Sequence, residues 1–221
     1  VHKELDVVWM LIADGMGGHN AGEVASAMLV DQIKYAWGKV SITKQASWLT
    51  WITEQLNTAN LNILKQAKST EGQQGMGTTG VLMVKENNKC HLGWVGDSRA
   101  YTLKSKKLVQ ETIDHTMLQE LVNKGAISAE TAKNANTKNL LSQAIGVREK
   151  ISVDTATIAI ESGDTIMLST DGLHDYLTEE EINHYLSQFS TEKDVCDDMV
   201  NQAIAQNSRD NLTVGLINLS D

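Results

Sequence analysis

Four aspartates in this chain of 221 residues stand where an apolar run meets a turn. They are Asp14 in VVWMLIADG, Asp97 in LGWVGDS, Asp171 in TIMLSTDG, and Asp210, which with Asn211 leads into LTVGLINL. Any one of them alone reads as a turn residue, since aspartate hydrogen-bonds its own backbone and glycine supplies positive φ. Four in the same setting weaken that reading, because a packed sheet brings strand ends together. Carboxylates gathered without a His or Cys set describe a site for a hard cation such as Mg2+ or Mn2+, which takes carboxylate, carbonyl and water oxygens. Without cations the carboxylates would repel one another strongly. Glycine after Asp14 would let the Gly15 carbonyl approach an ion closely. Two adjacent ions sharing Asp14 would lower the pKa of a bridging water and make it a nucleophile for a phosphoester.

The glycines around Asp14 admit other readings. ADGMGGHNAGEVAS places Gly15, Gly17, Gly18 and Gly22 directly after an apolar run. A phosphate cradle calls for GxGxxG, or GxxxxGK followed by Ser or Thr; neither spacing is present and no lysine follows to meet a phosphate. A tight strand-to-helix turn stays open beside the reading in which the glycines serve Asp14. Cys90 and Cys196 lack CxxC or zinc-type spacing, and Cys90 sits in an apolar run as a core residue would.

The elements that must position these residues follow from periodicity. Asp6 to Ala13 reads as a buried strand, β-branched and apolar without clean alternation. A helix is expected from about Ala21 to Trp37, with Val24, Met28, Ile33 and Trp37 on its inner face, and another from about Lys44 to Lys68, with Trp48, Trp51, Ile52, Leu56, Leu61 and Leu64 inward. TTGVLMVKE, KCHLGWVG and SRAYTLKSKKLVQ read as a meander of antiparallel strands. Residues 116 to 140 turn polar and helical. Strands near 152–160 and 165–169, helices near 179–187 and 192–207, and a last strand in LTVGLINL complete an α+β order in a single domain, 1–221, of helices packed on antiparallel sheet. A formal charge of −9 excludes a nucleic-acid surface. No apolar run approaches the roughly 18–20 residues that span a bilayer. Two cysteines without a disulfide framework fit a reducing compartment, so a cytoplasmic protein is expected.

With these residues in hand, the sequence resembles the metal-dependent Ser/Thr protein phosphatases, the type-2C or PPM family, in their bacterial form. The resemblance rests on ADGMGGHNAGEVAS, GMGTTGVLMV, GWVGDSRAY, DHT at Asp114–Thr116, LSQAIG, DTIMLSTDGLHDYLT and SRDNLTVGLI, which follow the family's order from about Asp6 to Leu219. It implies a four-layer αββα sandwich, two antiparallel sheets flanked by antiparallel helices, with a dinuclear Mn2+/Mg2+ centre at one edge. Asp14 would bridge the two ions, the Gly15 carbonyl would bind the second, and Asp171 and Asp210 would hold the first. A third ion would sit near Asp97 and share Asp171. Residues 114–140 would form the flap, a lid beside the site that influences substrate choice. The implied activity is hydrolysis of phosphoserine and phosphothreonine in proteins by a metal-bridging hydroxide, opposing bacterial Ser/Thr kinases, in a monomer without nucleic-acid or membrane partners. The alternative is a non-catalytic member that binds a phosphoprotein or another partner.

Two departures from the family pattern stand out. Thirteen residues precede Asp14, and HKELD does not match the family's first strand with its phosphate-binding arginine. That strand is expected to be truncated or missing. Met16 stands where some eukaryotic relatives carry a histidine proposed as the acid for the leaving oxygen. His19 is the candidate substitute, with a surface or capping role as its alternative.

Overall fold

A computed structural model describes residues 7–17, 21–41, 47–133, 135, 140–189 and 195–219. The strands form two four-stranded antiparallel sheets and one short ladder. Sheet one orders β1 (Val7–Ile12), β4 (Gly80–Glu86), β5 (Lys89–Val95) and β8 (Asp154–Ala159). Sheet two orders β10 (Val214–Asn218), β9 (Thr165–Ser169), β6 (Arg99–Lys104) and β7 (Lys107–Gln110). The ladder pairs β2 (Gly15–Met16) with β3 (Gly77–Thr78).

The period of two along each strand assigns the layers. On β4, Val81 and Met83 face the other sheet, and with Leu92 of their own sheet they pack with Ala100, Ile166 and Leu168. Leu82 and Val84 point the opposite way, onto α1 (Ala21–Trp37) and α2 (Trp48–Ser69). Both faces of β4 are therefore covered, which is why VLMV is apolar throughout. On sheet two, Tyr101, Leu103 and Met167 meet a third core shared with Leu173, Ile182 and Met199. Those residues come from α5 (Asp171–His174), α6 (Glu179–Leu186) and α7 (Cys196–Ala205). Helices, sheet, sheet and helices stack in four layers. Cys90 is wholly buried between the sheets.

Several expectations are corrected here. The strand at Val7–Ile12 is only half-buried, with Val8 exposed, and among the described residues it is the outer strand of sheet one. The expected meander is split: β4 and β5 stay in sheet one, while β6 and β7 belong to sheet two. The inner face of α1 runs through Ala21, Ala25, Leu29 and Ile33, leaving Val24, Met28 and Trp37 at its margin. On α2, Ile63 and Ala67 are buried where Leu61 and Leu64 were expected, and Leu61 is 55% exposed. Trp48 and Trp51 are core, as anticipated; both rings meet Trp37, which in turn meets Trp9, at ring separations of 5.6 to 5.9 Å. The expected start of this helix at Lys44, the start of α7 before Val195, and the residues before Val7 lie outside the described residues. Among the described residues no helix is long and apolar enough to cross a membrane.

The register fixes where the strands end. Ile12 pairs with Val81 and Gly80 with Val95, so β1 stops, β4 starts and β5 stops at one end of sheet one. Ser169 pairs with both Val214 and Arg99, so β9, β10 and β6 meet at one end of sheet two. Gly96, Asp97 and Ser98 carry the chain directly between these ends, which makes them one edge of the sandwich. All four aspartates lie at that edge.

The corrected face of α2 gives a paired test. Leu56→Ala removes a wholly buried side chain and should cost about 2–5 kcal/mol in urea unfolding. Leu61→Ala should fall within about 0.5 kcal/mol of the native protein.

Candidate metal centre

The main chain of Asp14 is clamped by the two threonines of GTT. The Thr79 N–H donates to the Asp14 carbonyl at 2.8 Å, the Thr78 hydroxyl donates to the same oxygen at 2.9 Å, and the Asp14 N–H donates to Thr79 Oγ1 at 3.0 Å. Thr79 Oγ1 also pairs with Ser98 Oγ at 2.7 Å, tying the Asp14 loop to the crossing between the sheets. Gly96 enters that crossing at φ +106°, and a Cβ there would come within 2.7 Å of the Thr79 side chain.

The glycines next to the carboxylates are required by backbone contact. A Cβ on Gly15 would stand 2.0 Å from the Gly22 carbonyl oxygen, and one on Gly22 would stand 2.6 Å from that of Gly15. The Asp14 loop thus lies main chain to main chain on the first turn of α1. Gly172 repeats the device: its Cβ would meet the Asn211 carbonyl oxygen at 2.6 Å. The Ser208 hydroxyl donates to the Gly172 carbonyl at 2.8 Å, and the Asn211 N–H donates to Asp210 Oδ1 at 2.8 Å. The Thr170 N–H donates to the Thr213 carbonyl at 3.1 Å and the Thr213 N–H to Thr170 Oγ1 at 3.0 Å. Together these bonds hold Asp171 beside the Asp210 loop.

The carboxylates feel one another. Burial first, then the charges of Asp171 and Asp210 and a hydrogen bond with Asp171, push Asp14 from 3.8 up to about 7. Asp171 is raised as well, by burial and then by Asp210 and Asp175. Asp97 is pushed up to about 7 by burial, then by Asp171 and Asp114. Asp14, Asp171 and Asp210 therefore form one electrostatic cluster, with Asp97 joined to it through Asp171. Asp171 Oδ1 is buried and has no hydrogen-bond partner among the described residues, a situation that costs free energy unless something accepts that lone pair. Among the described residues, no three His, Cys, Asp or Glu side chains are gathered closely enough to grip an ion unaided. Mg2+ and Mn2+ suit such an arrangement, since a hydrated ion needs only one or two carboxylates and keeps several waters. The donor set, all oxygen and with one orphaned carboxylate atom, fits a hard cation.

His115 and His174 serve structure. The Gly96 N–H donates to His115 Nδ1 at 3.3 Å, the His115 N–H donates to the Gly96 carbonyl at 2.9 Å, and His115 Nε2 lies 3.3 Å from the Asp154 carboxylate. His174 is buried, bonded through Nδ1 to Ser169 Oγ at 2.9 Å, and held well below the ordinary imidazole range by burial and by Arg99. Met16 is exposed on β2, and His19 lies outside the described residues.

Beside the centre stands the flap, with α3 (Met117–Asn123) and α4 (Ala129–Lys133). Its base is pinned: Thr116 bridges Leu141, the Met117 N–H donates to the Leu140 carbonyl at 2.8 Å, and Thr116 Oγ1 caps α3. Above that base α3 buries no side chain. Arg99 grips Asp114 through two nitrogens at 2.7 to 3.1 Å and donates to Tyr101 Oη at 3.1 Å. This pair, the Thr78–Thr79 clamp and Ser98 carry the site yet were given no role by sequence. GTT and GDSR were visible only as motif segments, and the Arg99–Asp114 partnership spans fifteen positions.

The comparisons with known proteins agree with this geometry. The family model described as "Protein phosphatase 2C" matches residues 1–212. The serine/threonine phosphatase stp of Listeria monocytogenes is 36% identical over 209 residues, covering 94% of this chain and 83% of its own. Protein phosphatase PhpP of Streptococcus pneumoniae is 32% identical, covering 96% and 86%. Among solved structures, the S. agalactiae serine/threonine phosphatase superposes with a TM-score of 0.90 at 29% identity, covering 97% of this chain and 88% of that one. The catalytic domain of the phosphatase PstP in complex with two manganese ions gives a TM-score of 0.84 at 27% identity, covering 100% and 94%. The fold is that of a protein-serine/threonine phosphatase, a phosphoric monoester hydrolase. The chain belongs to the protein phosphatase 2C family, in its bacterial form.

Two predictions follow from the electrostatics. A carboxyl whose folded pKa is raised keeps a proton that the unfolded chain releases, so its stability contribution is complete below 3.8 and is lost as pH rises to about 7. In chelator, wild type should therefore lose on the order of 1–2 kcal/mol relative to Asp14→Asn between about pH 4 and pH 7, solvent screening limiting the size; urea melts of both proteins across that range measure it. Asp114→Ala leaves the Arg99 guanidinium largely buried with its main partner gone and should cost about 3 kcal/mol, read as a lowered melting temperature.

Proposed function

We propose that the chain hydrolyses phosphoserine and phosphothreonine in proteins with Mn2+ or Mg2+ as cofactor, and that in the cell it opposes Ser/Thr kinases. Phosphoproteins are the substrates of its class. The observation that carries the metal reading is the cluster of Asp14, Asp171 and Asp210 about the unpartnered Asp171 Oδ1. In this reading Asp14, the Gly15 carbonyl, Asp171 and Asp210 would hold the ions, and Asp97 would take part in holding a further one. When bound, the ions supply positive charge for the phosphoryl oxygens and the Lewis acidity that makes water a nucleophile at neutral pH.

The chain's own residues position and exclude. The Thr78–Thr79 clamp fixes the main chain of Asp14, so its carboxylate is aimed before an ion arrives. The contact of Gly172 with Asn211 sets the spacing of Asp171 and Asp210 in the same way. Thiolate chemistry has no place at Cys90, whose thiol burial pushes up to about 12 and which lies between the sheets. Arg99 is engaged by Asp114 and so is not a free phosphate ligand. His19 remains the chain's candidate acid for the leaving oxygen.

The test is turnover of a phosphothreonine peptide with and without Mn2+. Wild type should show metal-dependent hydrolysis, and Asp171→Asn should lose at least about 100-fold in kcat. Absence of metal-dependent turnover in wild type would sink the proposal. A calorimetric Mn2+ titration separates it from a module that only binds, which has no need of two ions.

A further inference from the structure

A cavity of about 620 Å3 lies between the flap and the end of sheet two. It runs out from the candidate metal centre, because Asp97 and Asp171 line its inner end. One wall is apolar, formed by Ile113, Leu118, Val122 and Ala132 from the flap and the segment that leads into it. Ile113 is 54% exposed there, an apolar side chain left open to the cavity rather than to the core. The rim carries Glu130 on α4, Asp175 after α5 and Glu179 at the head of α6, all exposed. Arg99 is the one cation among the described lining residues, and Asp114 engages it.

An apolar wall under an anionic rim suits a side chain that is itself divided, with an aliphatic stem and a cationic head. Lysine and arginine have that build and lay their stems along apolar surface while the charge stays at the water boundary. A cavity of this size, continuous with a reaction centre, fits the usual dimensions of a ligand site and takes one or two side chains. An acidic side chain there would face Glu130 and Glu179, while Arg99, the one cation among the described lining residues, is engaged by Asp114.

We infer that the flap cavity is a peptide subsite, and that the enzyme selects phosphopeptides carrying a lysine or arginine at a fixed position beside the phosphoresidue. This rests on the phosphatase reading above and adds the class of sequence that reading takes. The negative charge of the whole chain, −9, would also attract basic peptides, but a long-range field is indifferent to where the charge sits, whereas a cavity is not.

The experiment is a series of phosphothreonine peptides, each with one lysine moved through the positions on either side, and a matching glutamate series. Mn2+-dependent kcat/KM should favour lysine over glutamate by about fivefold to tenfold at one or two adjacent positions, the scale of a few partly exposed ion pairs. Anisotropy binding of the unphosphorylated peptides should rank them in the same order, a readout that does not depend on turnover. Glu130→Lys and Glu179→Lys, both at exposed helix positions, should flatten the preference at that position. A uniform preference at every position, no preference, or a preference for glutamate overturns the subsite. Hydrolysis of p-nitrophenyl phosphate, which has no flanking residues, separates the two failures. Its persistence beside a flat peptide profile removes the subsite alone, and its absence removes the phosphatase reading with it.

Discussion

Carboxylates that repel one another are held in each other's field by backbone contacts that leave no room for a side chain. Gly15 against Gly22 seats the Asp14 loop on the first turn of α1, and Gly172 against Asn211 seats Asp171 beside the loop of Asp210. Neither contact involves the carboxylates, so the cost of gathering them is met by main-chain packing and by the hydrogen bonds of Thr78, Thr79, Ser208 and Thr213. The result is an edge that is electrostatically incomplete by itself. Folding creates a place where positive charge is wanted, which is what a catalytic metal site needs before the metal arrives.

The sandwich makes this edge rigid because the same strands feed both the cores and the site. β4 contributes to two cores at once, and the residue before it, Thr79, clamps Asp14. The crossing at Gly96–Ser98 joins the sheets and presents Asp97, while its glycine also anchors His115 at the flap base. The flap is built differently. It is pinned at its stem and α3 buries nothing, the condition under which a segment opens locally at small free-energy cost. The clamped centre and the sparsely buried α3 segment therefore meet at one short stretch of chain.

Much of this was legible in the residues. The four aspartates at the ends of apolar runs pointed to one edge, and register places them there. Helix and strand positions were recovered where periodicity was strong, as over Ala21–Trp37. The failures have physical causes. Local pattern says that KCHLGWVG and SRAYTLK are both strands, but not that three residues between them change sheets, because pairing is decided by distant partners. The face of α1 was misread because small residues at Ala21 and Ala25 do the packing against the ladder, where bulk would have blocked it. The contact of Gly15 with Gly22 was not anticipated, because it is made main chain to main chain and no side chain marks it. The Arg99–Asp114 pair leaves no local mark at all.

The five tryptophans fall into two sets with different environments. Trp9, Trp37, Trp48 and Trp51 cluster where α1 and α2 meet sheet one. Trp94 stands apart at the end of β5, and its indole N–H donates to the Ile113 carbonyl at 2.9 Å, beside the stem of the flap. The molecule thus carries two built-in optical reporters. The four clustered rings stand in the helical layer and the fifth beside residues 114–140, so a change in either place would perturb a different set of indoles.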